Sequence, residues 1–212
     1  MSALSDFMGG GASIVRRQLF TANGTWTKPS GIIGEQVWIT AIGGGSSGNT
    51  AGNGLGGTSG AYIARFPVDI SGTSSETVTI GAGGAALPDD GSAAAGNAGS
   101  VSSFGAIVSL AGGLVPATDG TYTGTFTTQN PGAGASIPST LGAPIASSLR
   151  QNGDGGSGLL LDASGTKAGD VTGGLGGVGG IGYGAGGGGG NEFRGSGAGA
   201  DGAILVEWLE SV

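Results

Sequence analysis

The sequence predicts an all-β protein, a β-sandwich or a set of jelly-roll-like sheets with packed segments of polyglycine II type. Three observations carry this expectation. Short stretches alternate apolar and polar residues, the period of a half-buried strand. Between them lie Gly-rich blocks, one of which (173–190) opens as a strict Gly-Gly-x triplet with Leu175, Val178 and Ile181 in third place. No stretch of useful length carries the 3.6-residue period of a helix.

Taken in order, residues 1–13 are small, polar and broken by Gly, and 1–17 is expected to be an attachment peptide ahead of a Gly-rich β domain over 18–212. Residues 14–22 read as a strand, Asn23-Gly24 as a turn, and 25–29 as extended chain leading into Pro29. The best strand is 35–42. Val37, Ile39 and Ala41 point one way and Trp38, Thr40 and Ile42 the other, so burial on both faces is expected. A Gly-rich block (43–60) precedes strands at 61–70 and 76–80. Asp89-Asp90-Gly91 is a turn, 91–100 a second Gly/Ala block, and 101–110 a strand pair or a strand bulged at Gly105. Residues 114–172 are rich in Thr, Ser, Pro and Asn. After the Gly-Gly-x block the chain closes on a strand at 203–209.

A three-residue period suits the polyglycine-type helix, which has three residues per turn and no internal hydrogen bonds. Leu175, Val178 and Ile181 would then form one apolar ridge, and the other two edges would be bare backbone. Such a segment is either disordered or packed sideways against neighbours that satisfy its N–H and C=O groups. Glycine supplies 53 of 212 residues, far above the usual share of about 7%. Ordering so many glycines demands dense backbone hydrogen bonding. Only 10% of residues are charged and Trp26, Trp38 and Trp208 are present, which favours a packed chain over a disordered one.

The same composition narrows function. The net charge is −7 with seven cationic side chains, so nucleic acid is not an expected partner. The chain has no His and no Cys, which removes the commonest general base, the commonest metal ligand and every disulfide. No run of about 20 apolar residues would insert in a membrane, and residues 1–8 lack the layout of a secretory signal. Neither an enzyme nor a cofactor or metal site is expected. Gly52–Gly57 and Gly197–Gly202 spell dinucleotide-binding fingerprints, but such a fingerprint needs a helix after it, and 203–209 reads as a strand. Asp89 and Asp90 could be an acid–base pair or a Ca²⁺ site, and read more simply as a solvated turn. Asp154, Asp162 and Asp170 do not have the spacing of an EF-hand.

What remains is a binding surface. Tyr122, Phe126, Gln129, Asn130, Arg150, Asn152 and Asp154 stand among Ser, Thr and Gly, the palette of adaptable recognition loops. Tyr183, Asn191, Phe193 and Arg194 form a second cluster beside the Gly run. The alternative is that these are ordinary loop residues, with some aromatics tucked into the core.

The order of motifs resembles a known family. It runs from Phe20 through Thr25-Trp26-Thr27-Lys28-Pro29 to Val37-Trp38-Ile39-Thr40-Ala41-Ile42-Gly43. Then come Gly60-Ala61-Tyr62, Val78-Thr79-Ile80-Gly81, Gly99 to Gly105, and Gly202 to Trp208. This is similar to the Gly-rich domain at the ends of bacteriophage tail fibres and in small tail-associated proteins. The Gly-Gly-x block also resembles the polyglycine-helix bundle of T-even-like fibre-tip adhesins. The resemblance implies a virion protein, exposed to the medium, that helps a tail recognise its host. Its partners would be other tail or fibre proteins and a surface receptor, either a glycan or an outer-membrane protein. It implies a homotrimer or a single copy capping another fibre. Segments 119–154 and 183–194 would be distal loops. A structural connector or decoration subunit without a receptor is the second reading, and an ice-binding or extracellular scaffold the third.

Overall fold

A computed structural model describes residues 13–51, 54–123, 177, 179–180, 182–190 and 193–212, the last of these ranges holding the closing strand. Within them the chain forms ten strands and no helix. Strands β1 (Ser13–Phe20), β3 (Ile32–Ile42), β4 (Tyr62–Asp69) and β10 (Ala203–Ser211) make one sheet in the order β1-β10-β3-β4. Strands β2 (Gly24–Thr27), β5 (Ser75–Thr79), β6 (Ser102–Phe104) and β7 (Val108–Leu110) make the second in that order. All neighbours pair antiparallel. A two-stranded ribbon pairs β8 (Val115–Pro116) with β9 (Tyr122–Thr123).

The two four-stranded sheets enclose one core. The first contributes Val37, Ile39, Ala41, Ile63, Val68, Ile204, Val206 and Trp208; the second contributes Trp26, Val78, Phe104, Val108 and Leu110. Trp26 is its keystone. Its ring lies 5.6 Å from Phe104 and 6.2 Å from Trp208, both tilted as aromatic pairs prefer. Its Nε1 is the one buried side-chain polar atom without a partner among the described residues.

Three strand expectations are refined. Residues 101–110 are a strand pair, turned at Gly105, whose φ of 54° favours glycine. The 35–42 strand is longer than its pattern suggests, and of its second face only Ile42 is buried: Trp38 and Thr40 are half-buried on the outside of the sheet. There the Arg65 guanidinium covers the Trp38 ring at 5.4 Å and its Nε lies 3.5 Å from Glu207. A cation–π contact thus takes the place of a second packed layer. The first strand begins at Ser13 and pairs with β10 throughout, so residues 13–17 belong to the sheet. Residues 1–12 lie outside the described residues.

The Gly-rich blocks project from one end of the sandwich as a hexagonal bundle. Its axis is 43–50, the direct continuation of β3, and every residue of it is buried. Successive N–H groups of this axial segment turn to three neighbours in rotation. Gly43 donates to Ala61, Gly44 to Ser100 and Gly45 to Ala200; then Ser46 donates to Thr58, Ser47 to Asn97 and Gly48 to Gly197. Asn49 and Thr50 begin a third round with Leu55 and Ala94, all at 2.9–3.2 Å. The carbonyls turn to three other neighbours, accepting from Gly113 at Gly44, Gly84 at Gly45, and Gly187 at Ser46. A three-residue period without bonds inside the segment is the mark of polyglycine II.

The six neighbours also bond to one another and close a ring. In order they are 54–61, 184–190, 195–202, 81–88, 94–101 and 111–116, and the last bonds back to the first through Ala61 N–H and Ala111 O at 2.9 Å. Antiparallel and parallel neighbours alternate around the axis. The three that accept from its N–H groups run against it, and the three that donate to its carbonyls run with it. Residues 177 and 180 start an outer layer, donating to Gly195 and Ala198. The expected packing of the Gly run is therefore present at 184–190. Leu175, Val178 and Ile181, the expected ridge, lie outside the described residues.

Glycine is needed because the backbones touch. A Cβ on Gly45, Gly48, Gly57, Gly99 or Gly199 would sit 2.0–2.2 Å from a neighbouring carbonyl oxygen. Where the axis does carry side chains, they join the lattice. Ser46 Oγ accepts from Thr58 N–H at 2.8 Å and donates to Leu114 O at 2.6 Å. Three residues on, Asn49 repeats the device with Leu55 N–H and Ala117 O. Ser47 and Thr50 accept from Asn97 and Ala94 N–H on another side. Polar side chains here replace backbone partners, so their burial costs little.

Candidate functional site

The molecule has two ends. Ser13 pairs with Ser211 at the end of the sandwich away from the bundle. At the opposite end the bundle finishes in four turns: those joining 51 to 54, 88 to 94, 190 to 195, and the 117–121 turn of the ribbon. Each is pinned where it leaves the lattice. Gly54 N–H bonds Ala51 O, Gly190 N–H bonds Asn49 O, and Ala117 N–H bonds Thr121 O. Ser196 and Leu87 bind each other, Ser196 N–H to Leu87 O and Leu87 N–H to Ser196 Oγ.

Phe193 and Arg194 stand on one of these turns. Phe193 is 73% exposed, unusual for a large aromatic, and Arg194 is exposed beside it. Asp89 and Asp90 lie on the neighbouring turn, where Gly195 packs against Leu87 O and Asp89 N. Asp90 accepts from the Ser92 hydroxyl and N–H, which hold its carboxyl below the ordinary value of 3.8. Asp119 is lowered in the same way by the hydroxyl and N–H of Thr121. Both are ionised turn-formers, each with its Oδ1 engaged locally. No group of three or more His, Cys, Asp or Glu suited to a metal occurs among the described residues. The tip can offer an aromatic face, a guanidinium and fixed carboxylates to a partner.

The residues singled out from sequence do not all meet. Tyr183 is half-buried at the sandwich end of 184–190, where Gly184 contacts Ile42 and Gly43. Seven extended residues, about 20 Å at 3.1 Å each, separate it from Phe193. Tyr122 lies on β9, its backbone paired with Pro116. Phe126, Asn130, Arg150, Asn152 and Asn191 lie outside the described residues, as do Asp154, Asp162 and Asp170. The fingerprint-like Gly197–Gly202 run has its amides committed: Gly197, Gly199 and Gly202 donate to Gly188, Gly84 and Gly81, leaving none of these three for a phosphate.

The sequence reading missed one surface. On the outer face of the second sheet the register sets Thr25 opposite Thr77, Thr27 opposite Ser75, and Thr79, Ser103 and Ser109 in one row. All seven outward positions are hydroxyl residues. The signal was legible as Thr-x-Thr in 25–27 and Ser-x-Thr-x-Thr in 75–79.

These features define a glycine-rich all-β protein, a sandwich whose loops are a polyglycine II bundle. The chain matches the glycine-rich domain family over residues 20–209 and belongs to it. No curated protein matches it.

Proposed function

We propose that this protein is a bacteriophage tail-fibre or tail-tip component that takes part in recognising and attaching to the host surface. It would reside in the virion tail, exposed to the medium, with other tail proteins at its sandwich end and a glycan or outer-membrane protein of the host at its bundle end. The observation that carries the reading is Phe193, 73% exposed on a turn whose two flanks are locked into the lattice. A rigidly mounted exposed aromatic next to an arginine is the usual anchor of a recognition surface. A stiff bundle lets the turns vary without disturbing the fold, which suits a receptor that changes. The second reading, a connector without a receptor, draws on β1. It is an edge strand with Val15 55% and Leu19 46% exposed, open to another tail protein.

Competition separates the two. Purified protein should bind host bacteria and block adsorption of the phage. Phe193→Ala with Arg194→Ala should lower cell binding at least tenfold without changing the melting temperature. Protein that neither binds cells nor blocks infection defeats the adhesin reading and leaves the connector.

A further inference from the structure

The hydroxyl face of the second sheet is unlike the rest of the surface. Thr25, Thr27, Ser75 and Thr77 are exposed, and Thr79, Ser103 and Ser109 are half-exposed. Their neighbours in the strands, Trp26, Val78, Phe104, Val108 and Leu110, are turned fully into the core. None of the seven hydroxyls has a hydrogen-bond partner among the described residues. Buried hydroxyls are employed: Ser46, Ser47, Thr50, Thr58 and Ser102 all bond inside the bundle or at its base.

The other sheet serves as an internal control. Its outer face mixes Arg17, Glu207, Arg65, Asp69 and Gln36 with Trp38, the ordinary make-up of a solvated sheet. Solvation alone therefore does not account for a face with no charge at all. Strands about 4.8 Å apart, with outward residues about 6.8 Å apart along each, set the hydroxyls on a fixed grid. Threonine is stiff at χ1, so much of the ordering is done before any ligand arrives.

We propose that this face binds a neutral polysaccharide. Each hydroxyl both donates and accepts, which matches the hydroxyls of a sugar. The face has no cation for an acidic polymer, and a chain of net charge −7 repels one. It has no aromatic anchor of the kind a protein partner would need, because its aromatics point inward. Its four-stranded span suits several sugar units at once, so the contacts are individually weak and act together. The surface is separate from the Phe193 turn and stands whether or not the chain serves a phage tail.

Native electrophoresis of the full chain through gels containing dextran, mannan or a soluble β-glucan tests this, with hyaluronate as an acidic control. At least one neutral polymer should retard the protein, and hyaluronate should not. Thr25→Val with Thr77→Val, which keeps shape and strand preference, should weaken retardation at least tenfold. Arg17→Gln on the other sheet should leave it unchanged. Retardation by none of the neutral polymers, by hyaluronate only, or equally in the Val variant would overturn the proposal. Slowing of ice recrystallisation without polymer binding would also overturn it, since the grid would then be ordering water.

Discussion

Replacing Gly45 with alanine should unfold or severely weaken the bundle, against the usual direction of such a change. Gly→Ala at a site that accepts it stabilises by about 0.4–1 kcal/mol, because the unfolded chain has less freedom to lose. At Gly45 the added Cβ would lie 2.0 Å from Ala185 O, where ordinary contact begins near 3.4 Å. That oxygen would have to retreat by about 1.4 Å. It is held at 2.8 Å by Ala200 N–H, while Gly45 N–H itself bonds Ala200 O at 2.9 Å. Overpacking costs about 1–3 kcal/mol, and two buried backbone bonds left unmade cost about 1–3 kcal/mol each. The total, about 3–9 kcal/mol, rivals the whole stability of many domains. At this chain length it should lower the melting temperature by at least about 6 °C. Gly179→Ala is the control, since the nearest atom to its Cβ is 3.6 Å away and its φ is not positive. That variant should match the parent or exceed it slightly. Calorimetry of both decides the matter. A Gly45→Ala protein melting within about 2 °C of the parent would refute the argument that backbone contact, not turn geometry, dictates glycine here.

Other outcomes follow from the same lattice. Ser46→Ala strands Thr58 N–H, leaves Leu114 O only a long 3.5 Å bond from Thr58 Oγ1, and should cost about 1–3 kcal/mol in urea unfolding. Amides of Gly45, Gly48, Gly187 and Gly190 should exchange only on global opening; random-coil rates at these sites would exclude the bundle. Asp90 and Asp119, held below 3.8 by the Ser92 and Thr121 hydroxyls, favour the folded turns above that value. The contribution is lost as pH falls through their lowered folded pKa, so the turns should open only in strong acid. NMR titration should place both midpoints below 3.8, and Ser92→Ala should return Asp90 toward it.

Much of the fold could be read from residue pattern because each strand is short and alternates cleanly. The Thr25-Trp26-Thr27 and Thr77-Val78-Thr79 triplets each put one buried residue between two outward hydroxyls. The Gly-Gly-x triplet that suggested polyglycine II lies mostly outside the described residues, but the same Gly run adopts that form at 184–190. Its partners were not legible, since a polyglycine segment carries no side-chain code for its neighbours. The Ser46, Ser47, Asn49 and Thr50 insertions looked like loop residues, although they are wholly buried. Burial of Trp38 was overestimated because an apolar count cannot foresee that Arg65, from another strand, will cover it. The tip cluster was read as one patch because Tyr183 and Phe193 are close in sequence. An extended segment converts that closeness into separation, where a hairpin would have preserved it.

The ring around 43–50 also sets a timetable. Its member 195–202 and the strand after it, β10, are synthesised long after the axis they join. Until they emerge, Gly45 and Gly48 have no acceptors, β1 has no neighbour, and β3 lacks one of its two. A ribosome would therefore carry a nascent chain with an open bundle and a divided sheet. Completion waits for 195–202 and β10, through contacts between residues about 150 or more positions apart, the regime in which folding is slow. The exposed edges of that unfinished state are where a chaperone would find its grip.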